Sequence, residues 1–225
     1  MQLVTVADVR SRLGFDKIPS IDAAILSALN GVTEDLRSEL DTIFDIATVV
    51  DNFYVDSGTI RTRGSPRLLV KLSQGFVKAT PTPVVESAPR FTELTAEGGT
   101  TATSLFSSAH FLNERGVVVL TLDEPLFAGL PRPGVEIENA YLQIGFDAGF
   151  AVDGTDTNLY LQTAVPDWLK QMAISAAAIK LDQSPVIRRE DQNEADVKFH
   201  KSTLRTMIEG HTRYEPGALR TTFST

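Results

Sequence analysis

The chain has 225 residues, 42% of them hydrophobic, no cysteine and a formal charge of −8. That suffices for one large or two small domains whose folding removes roughly 70% of the unfolded chain's surface from water. Lack of cysteine excludes disulfides, thiolate zinc sites and cysteine nucleophiles, and is compatible with a reducing compartment. The acidic balance opposes general nucleic-acid binding, which grips phosphates with clustered Lys and Arg. No apolar run approaches the ~18 residues that span a bilayer, and no basic-then-apolar export signal opens the chain.

Thr5 can cap a short helix with Val6, Val9 and Leu13 on one side, and Gly14 stands where a C-terminal cap is expected. Phe15 to Pro19 is a connector. Ser20 then caps a long helical pattern in which Ile21, Ile25, Ala28, Leu29, Val32, Leu36, Leu40 and Ile43 keep the 3.6-residue period. Gly31 costs that helix roughly 1 kcal/mol relative to Ala, so a close approach or a local weakness is expected there. Glu34, Asp35, Arg37, Glu39 and Asp41 read as its solvated side.

From Ala47 to about Thr163 the composition turns to Val, Thr, Phe, Tyr, Gly and Pro, with runs such as ATVVDNFYV, RLLVKL, GVVVLTL and VEIENAYLQIGF. These predict antiparallel β structure. Asp51-Asn52, Asp56-Ser57-Gly58, Gly98-Gly99 and Asp153-Gly154 read as turns. Pro81, Pro83 and Pro89 exclude a central strand across their stretch, so Ala79 to Thr103 is expected to be a long excursion or exposed lobe.

The clearest helix signal is VPDWLKQMAISAAAIKLD, Val165 to Asp182. Pro166 suits a first helical position and Asp167 complements the helix dipole. Leu169, Met172, Ala173, Ala176 and Ile179 draw one apolar stripe, which Trp168, the only tryptophan, adjoins as a core anchor. The run Ala176, Ala177, Ala178 lets a neighbouring helix come close, so Trp168, Leu169, Met172, Ala176 and Ile179 are assigned to helix packing. A last helix is expected from about Asp191 to Glu209, with Ala195, Val197, Leu204, Met207 and Ile208 as a weaker apolar face and Gly210 as its stop. His211 to Thr225 has no periodicity and is expected to lack regular structure until a partner orders it.

The resulting expectation is an α+β fold. N- and C-terminal helices (1–46 and 164–210) form a helical bundle, a central antiparallel β lobe (47–163) is inserted between them, and 211–225 is an extended arm.

Chemistry-bearing patterns are sparse. His110 follows Ser107 and Ser108 without a G-x-S-x-G elbow, and His200 and His211 lack the one-turn spacing of an HExxH zinc site. Glu190, Glu194 and Glu209 read as helix-surface charges. Asp153, Asp156 and Asn158 form the one carboxylate-rich loop, which lacks EF-hand spacing and reads as a turn. Gly98-Gly99 has no following helix or P-loop lysine to cradle phosphate. Asp123-Glu124 and Glu136 with Glu138 could serve glycoside chemistry only with a facing geometry that spacing alone does not supply. Arg61, Arg63, Arg67, Lys71 and Arg188-Arg189 read as a solvated face, or as forked contacts to an acidic partner. No catalytic residue, metal site or cofactor is assigned, and interaction work is expected of a non-enzyme.

The order of elements resembles the head-tail adaptor, or connector, family of tailed bacteriophages. Three segments carry the resemblance: the opening helix Thr5 to Phe15; the aromatic-glycine strand Tyr141 to Phe150; and the helix start Val165, Pro166, Asp167, Leu169, Lys170, Ala173. It covers roughly Thr5 to Tyr54 and Val135 to Glu209, while Val84 to Pro133 is longer than the hairpin of small family members. The resemblance implies a virion protein at the head-tail interface, assembled in the host cytoplasm. It implies a ring, usually dodecameric, beneath the portal protein, prolonging the DNA channel without specific DNA binding and offering a docking surface to tail or neck (stopper or terminator) proteins. Arg213, Tyr214, Leu219, Arg220 and Phe223, aromatic and arginine anchors on the arm, are then expected to dock on the portal. Two other readings stay open: a carbohydrate- or receptor-binding β module of a phage tail or surface assembly, and a small hydrolase using Asp123 or Glu124.

Overall fold

A computed structural model describes residues 1–15, 21–56, 67–80, 84–88, 106–122, 139–183, 194–211, 219–220 and 223–224. Among the described residues it holds four helices and two small, mainly antiparallel sheets, a mixed composition compatible with α+β. No described helix is long and apolar enough to cross a membrane. The chain divides into two compact units, residues 1–42 with 150–212 and residues 43–149 with 213–225.

The first unit carries the helices. Helix α1 (Val6–Leu13) opens on a capping box: the Asp8 amide donates to Thr5 Oγ1 at 3.0 Å, and the Thr5 amide donates to Asp8 Oδ2 at 3.1 Å. Gly14 closes it at φ 74°, where a side chain would be strained. Helix α2 (Asp22–Glu39) buries Ile25, Ala28, Leu29, Val32 and Leu36 on one stripe, and Asp22 pairs with Arg10 of α1. It begins after Ile21, with no side-chain cap, and Ser20 lies outside the described residues. It also ends sooner than the periodicity to Ile43 suggests. Asp41 turns to φ 48°, and the Thr42 amide donates to the Arg37 carbonyl at 3.3 Å, which ends the α ladder with Leu40 still buried.

Helix α3 (Asp167–Asp182) starts one residue later than Pro166 suggests, with the Pro166 carbonyl accepting from the Leu169 and Lys170 amides at 3.0 and 3.1 Å. It packs against α1, α2 and α4 (Glu194–His211), so it is buried on more sides than a single stripe. Ile174, Ser175, Ala177, Ala178 and Leu181 are buried beside Leu169, Met172, Ala173 and Ala176. The close approach expected at Gly31 is present: a Cβ there would collide with the end of Lys180, whose Nζ pairs with Asp35 Oδ2 at 2.7 Å. Gly31→Ala should change stability in denaturant unfolding by less than about 1 kcal/mol, because a helix-propensity gain of that size is offset by displacing a flexible, partly exposed ion pair.

Residues 150–163, read from sequence with the β lobe, belong to the helical unit. Gln2 and Leu159 form a parallel bridge, the Tyr160 amide donates to the Gln2 carbonyl at 3.1 Å, and Phe150 meets Tyr160 edge-on at 5.9 Å. Helix α4 runs through Gly210 to His211; Gly210 therefore does not stop it.

The second unit is built from two four-stranded sheets. Strand β1 (Ala47–Asp56) pairs along its length with β6 (Asn139–Ala148), with β3 (Val84–Ala88) beyond β6 and β8 (Phe223–Ser224) on the other side of β1. In the other sheet β2 (Arg67–Lys71) lies between β5 (Val117–Leu122) and β7 (Leu219–Arg220), and β4 (Phe106–Leu112) flanks β5. Val49, Phe53, Leu142, Ile144 and Phe146 from the first sheet join Leu68, Val70, Val118 and Leu120 from the second in one hydrophobic cluster. Alternation of strand faces places these residues on the packed side of each sheet.

Two expectations are corrected in this unit, and the exclusion of a central strand from the proline-rich stretch is refined. Asp51-Asn52 is not a turn but the middle of β1, buried and in register with Ile144 and Gln143. Asp51 Oδ2 accepts from the Ser73 amide at 2.5 Å and Asn52 Oδ1 accepts from Gln143 Nε2 at 2.9 Å, which offsets the cost of burying polar groups in a strand. Within the proline-rich excursion, Val84–Ala88 fits between Pro83 and Pro89 as β3, at a sheet edge where proline neighbours are tolerated. The segment expected to lack regular structure contributes β7 and β8, paired within the chain itself: β7 runs parallel to β2 and β8 antiparallel to β1.

Candidate interaction surface

The helix-packing residues lie on α3 in two roles. Leu169, Met172 and Ala176 are buried, whereas Trp168 and Ile179 are half-buried. Trp168 is therefore a clasp at the helix surface: its ring stacks on His211, the last residue of α4, at 3.9 Å and 3° between planes. On α4, Val197, Leu204, Met207 and Ile208 are half-buried, and the His200 ring nitrogen lies 3.4 Å from Ser175 Oγ of α3. Phe199 is 65% exposed and is the large apolar side chain that sequence reasoning passed over. Its signal was available: Phe199 falls outside the Val197, Leu204, Met207, Ile208 face.

Of the arm residues, Arg213 and Tyr214 lie outside the described residues. Leu219, Arg220 and Phe223 fall in β7 and β8, where Leu219 is in register with Val70, Arg220 with Lys71 and Phe223 with Asn52. Arg67 and Lys71 sit together on β2; Arg61, Arg63, Arg188 and Arg189 lie outside the described residues. So do Asp123, Glu124, Glu136, Glu138, Glu190, Gly98 and Gly99. Glu194 begins α4, and Glu209 pairs with Arg205 at 2.9 Å one turn earlier.

On the outer face of the first sheet, cross-strand partners form a ladder. Thr48 Oγ1 donates to Asp147 Oδ1 at 2.7 Å, Gln143 meets Asn52, and the rings of Tyr54 and Tyr141 lie 5.3 Å apart. Tyr54 is 39% exposed. Ser107, Ser108 and His110 lie on β4, with His110 exposed.

The carboxylate-rich loop is a turn in which one oxygen of each of two carboxylates is used locally. Asp153 Oδ1 accepts from the Thr155 amide at 2.7 Å, the Thr155 hydroxyl at 2.6 Å and the Asp156 amide at 3.3 Å, and Asp156 Oδ1 accepts from the Asn158 amide at 2.9 Å. Among the described residues no three His, Asp or Glu side chains gather as a metal site. The Thr155 hydroxyl, its amide and the Asp156 amide hold the Asp153 carboxyl below the usual carboxylate range. Because the folded value is the lower one, these bonds stabilise the loop above the unfolded value near 3.8 and are lost as pH falls through the folded one. The Thr155 amide resonance should therefore titrate with a midpoint below 3.8, and Asp153→Asn should abolish that titration.

Compared with models of known protein families and with characterised proteins, the chain matches none of them.

Proposed function

We propose that the protein is a structural head-tail adaptor of a tailed bacteriophage, with no catalytic centre and no cofactor. Copies associate into a ring, a dodecamer by the family's habit, beneath the portal protein. The ring prolongs the DNA channel and gives tail or neck proteins a surface to dock on. In this reading the four helices form one bundle, lining or supporting the channel, with the β unit inserted between its two halves.

The observation that carries the proposal is where the family-like segments fall. The aromatic-glycine stretch Tyr141 to Phe150 is the long strand β6 with a positive-φ glycine behind it, and VPDWLKQMA opens the helix on which the other three pack. Both are packing features, which suits a protein whose product is a surface. The charge of −8 suits a passage through which DNA moves without being held; a channel wall found to be basic would contradict that part.

Arg213, Tyr214, Leu219, Arg220 and Phe223 are the proposed portal contacts. Strand pairing of 219–220 and 223–224 uses backbone groups, so side-chain recognition of a partner is compatible with it. Deleting Tyr214 to Thr225 should weaken portal binding by about tenfold or more. The pair Arg213→Ala with Tyr214→Ala, which leaves both strands intact, should act in the same direction. Portal binding at full strength in both variants would contradict the assignment.

One observation favours the second reading, a carbohydrate- or receptor-binding β module: the Tyr54–Tyr141 pair is an aromatic step on a sheet face. It predicts glycan binding by the isolated chain that disappears in Tyr54→Ala.

A further inference from the structure

Both sheets of the β unit end, on one side, in residues from the C-terminus. β8 pairs with Asp51 and Asn52, two of the ten residues of β1, and β7 pairs with Val70 and Lys71, two of the five residues of β2. Residues 219–220 and 223–224 thus hold the edges of the two sheets as a strap.

Two features make this strap exchangeable. Its hold is four residues long among the described residues. Where β8 sits, β1 presents Asp51 and Asn52, both polar and each hydrogen-bonded within the unit, to the Ser73 amide and to Gln143. These bonds to Ser73 and Gln143 are made without β8, so the edge keeps them when the strand is exchanged.

A sheet edge recognises an extended segment through backbone groups, and a second copy of this chain supplies the same segment in the same register. We infer that the edges of β1 and β2 in one copy accept β8 and β7 of another, so that the C-terminal strap joins copies by strand exchange. Passed from copy to copy in one direction around an axis, the exchange closes a ring. Only that closure rests on the adaptor reading; the exchange does not.

The absence of cysteine gives a clean test. Full-length chains carrying Asn52→Cys are mixed with chains carrying Phe223→Cys, co-refolded from denaturant, oxidised and run on a non-reducing gel. These positions are directly opposed across β1 and β8, within the separation a disulfide bridges. Lys71→Cys with Arg220→Cys, opposed across β2 and β7, repeats the test on the other sheet should the Asn52 variant fold poorly. A linked species of twice the chain mass is expected in the mixtures and in neither variant alone. No linked species in either mixture overturns the inference, whether or not double variants close a bond within one chain. Linked copies that never form a ring would leave the exchange standing and remove the adaptor reading, and rings without links would do the reverse.

Discussion

Gly149→Ala is expected to destabilise the protein by about 3 kcal/mol or more, seen as a lowered midpoint in denaturant unfolding. Gly149 follows β6 at φ 98°, a conformation that a side chain adopts only under strain. A Cβ there would also meet backbone, not a yielding side chain: the Asp45 carbonyl, and the Phe44 oxygen at 2.8 Å. The Gly149 amide donates to the Phe76 carbonyl at 3.1 Å, so the turn cannot shift without losing a bond. Gly145, four residues earlier in the same segment, has open space where its Cβ would stand, and Gly145→Ala should be neutral or stabilise the strand by roughly 0.5–1 kcal/mol. Similar losses at both positions would contradict this account of the turn.

Leu169→Ala should cost about 3 kcal/mol by the same measurement. Leu169 is fully buried at the start of α3, the helix that touches α1, α2 and α4, so the cavity would open where several elements meet and none can close it alone. Ile179→Ala on the same helix should cost less than half as much, because that side chain is half-buried. Equal losses would mean that α3 is not the centre of its unit.

Much of this arrangement was legible because local signals and tertiary packing agreed. Thr5 and Gly14 set the limits of α1, and the shift at Ala47 marks the first residue of β1. The misreadings have specific causes. Asp51-Asn52 has the composition of a turn, but Val49, Val50, Phe53 and Tyr54 flank it with strand formers and no glycine or proline. The bonds that let it stay in the strand come from Ser73 and Gln143, distant in sequence. Gly210 resembles a helix stop, yet α4 continues to His211, which stacks on Trp168. The breadth of burial on α3 was hidden because alanines read as weakly apolar, although small size is what lets three helices surround it. Residues 150–163 look like strand, but their partners Gln2 and Leu3 lie at the other end of the chain. The pairing of the C-terminal strap was likewise unreadable, since a two-residue strand has no periodicity.

As for the proposed site, the sequence pointed to surfaces over reactive groups, and the described residues add particular ones: the exposed Phe199, the Tyr54–Tyr141 step and the two sheet edges held by the strap. The loop of Asp153 and Asp156, read as a turn, has one oxygen of each carboxylate accepting from its own residues.

Electron microscopy of the purified protein with and without a candidate portal protein decides whether it builds an axial assembly. Closed rings seated coaxially on the portal are expected. A chain that stays a solitary monomer at every concentration and leaves the portal bare would contradict the adaptor reading.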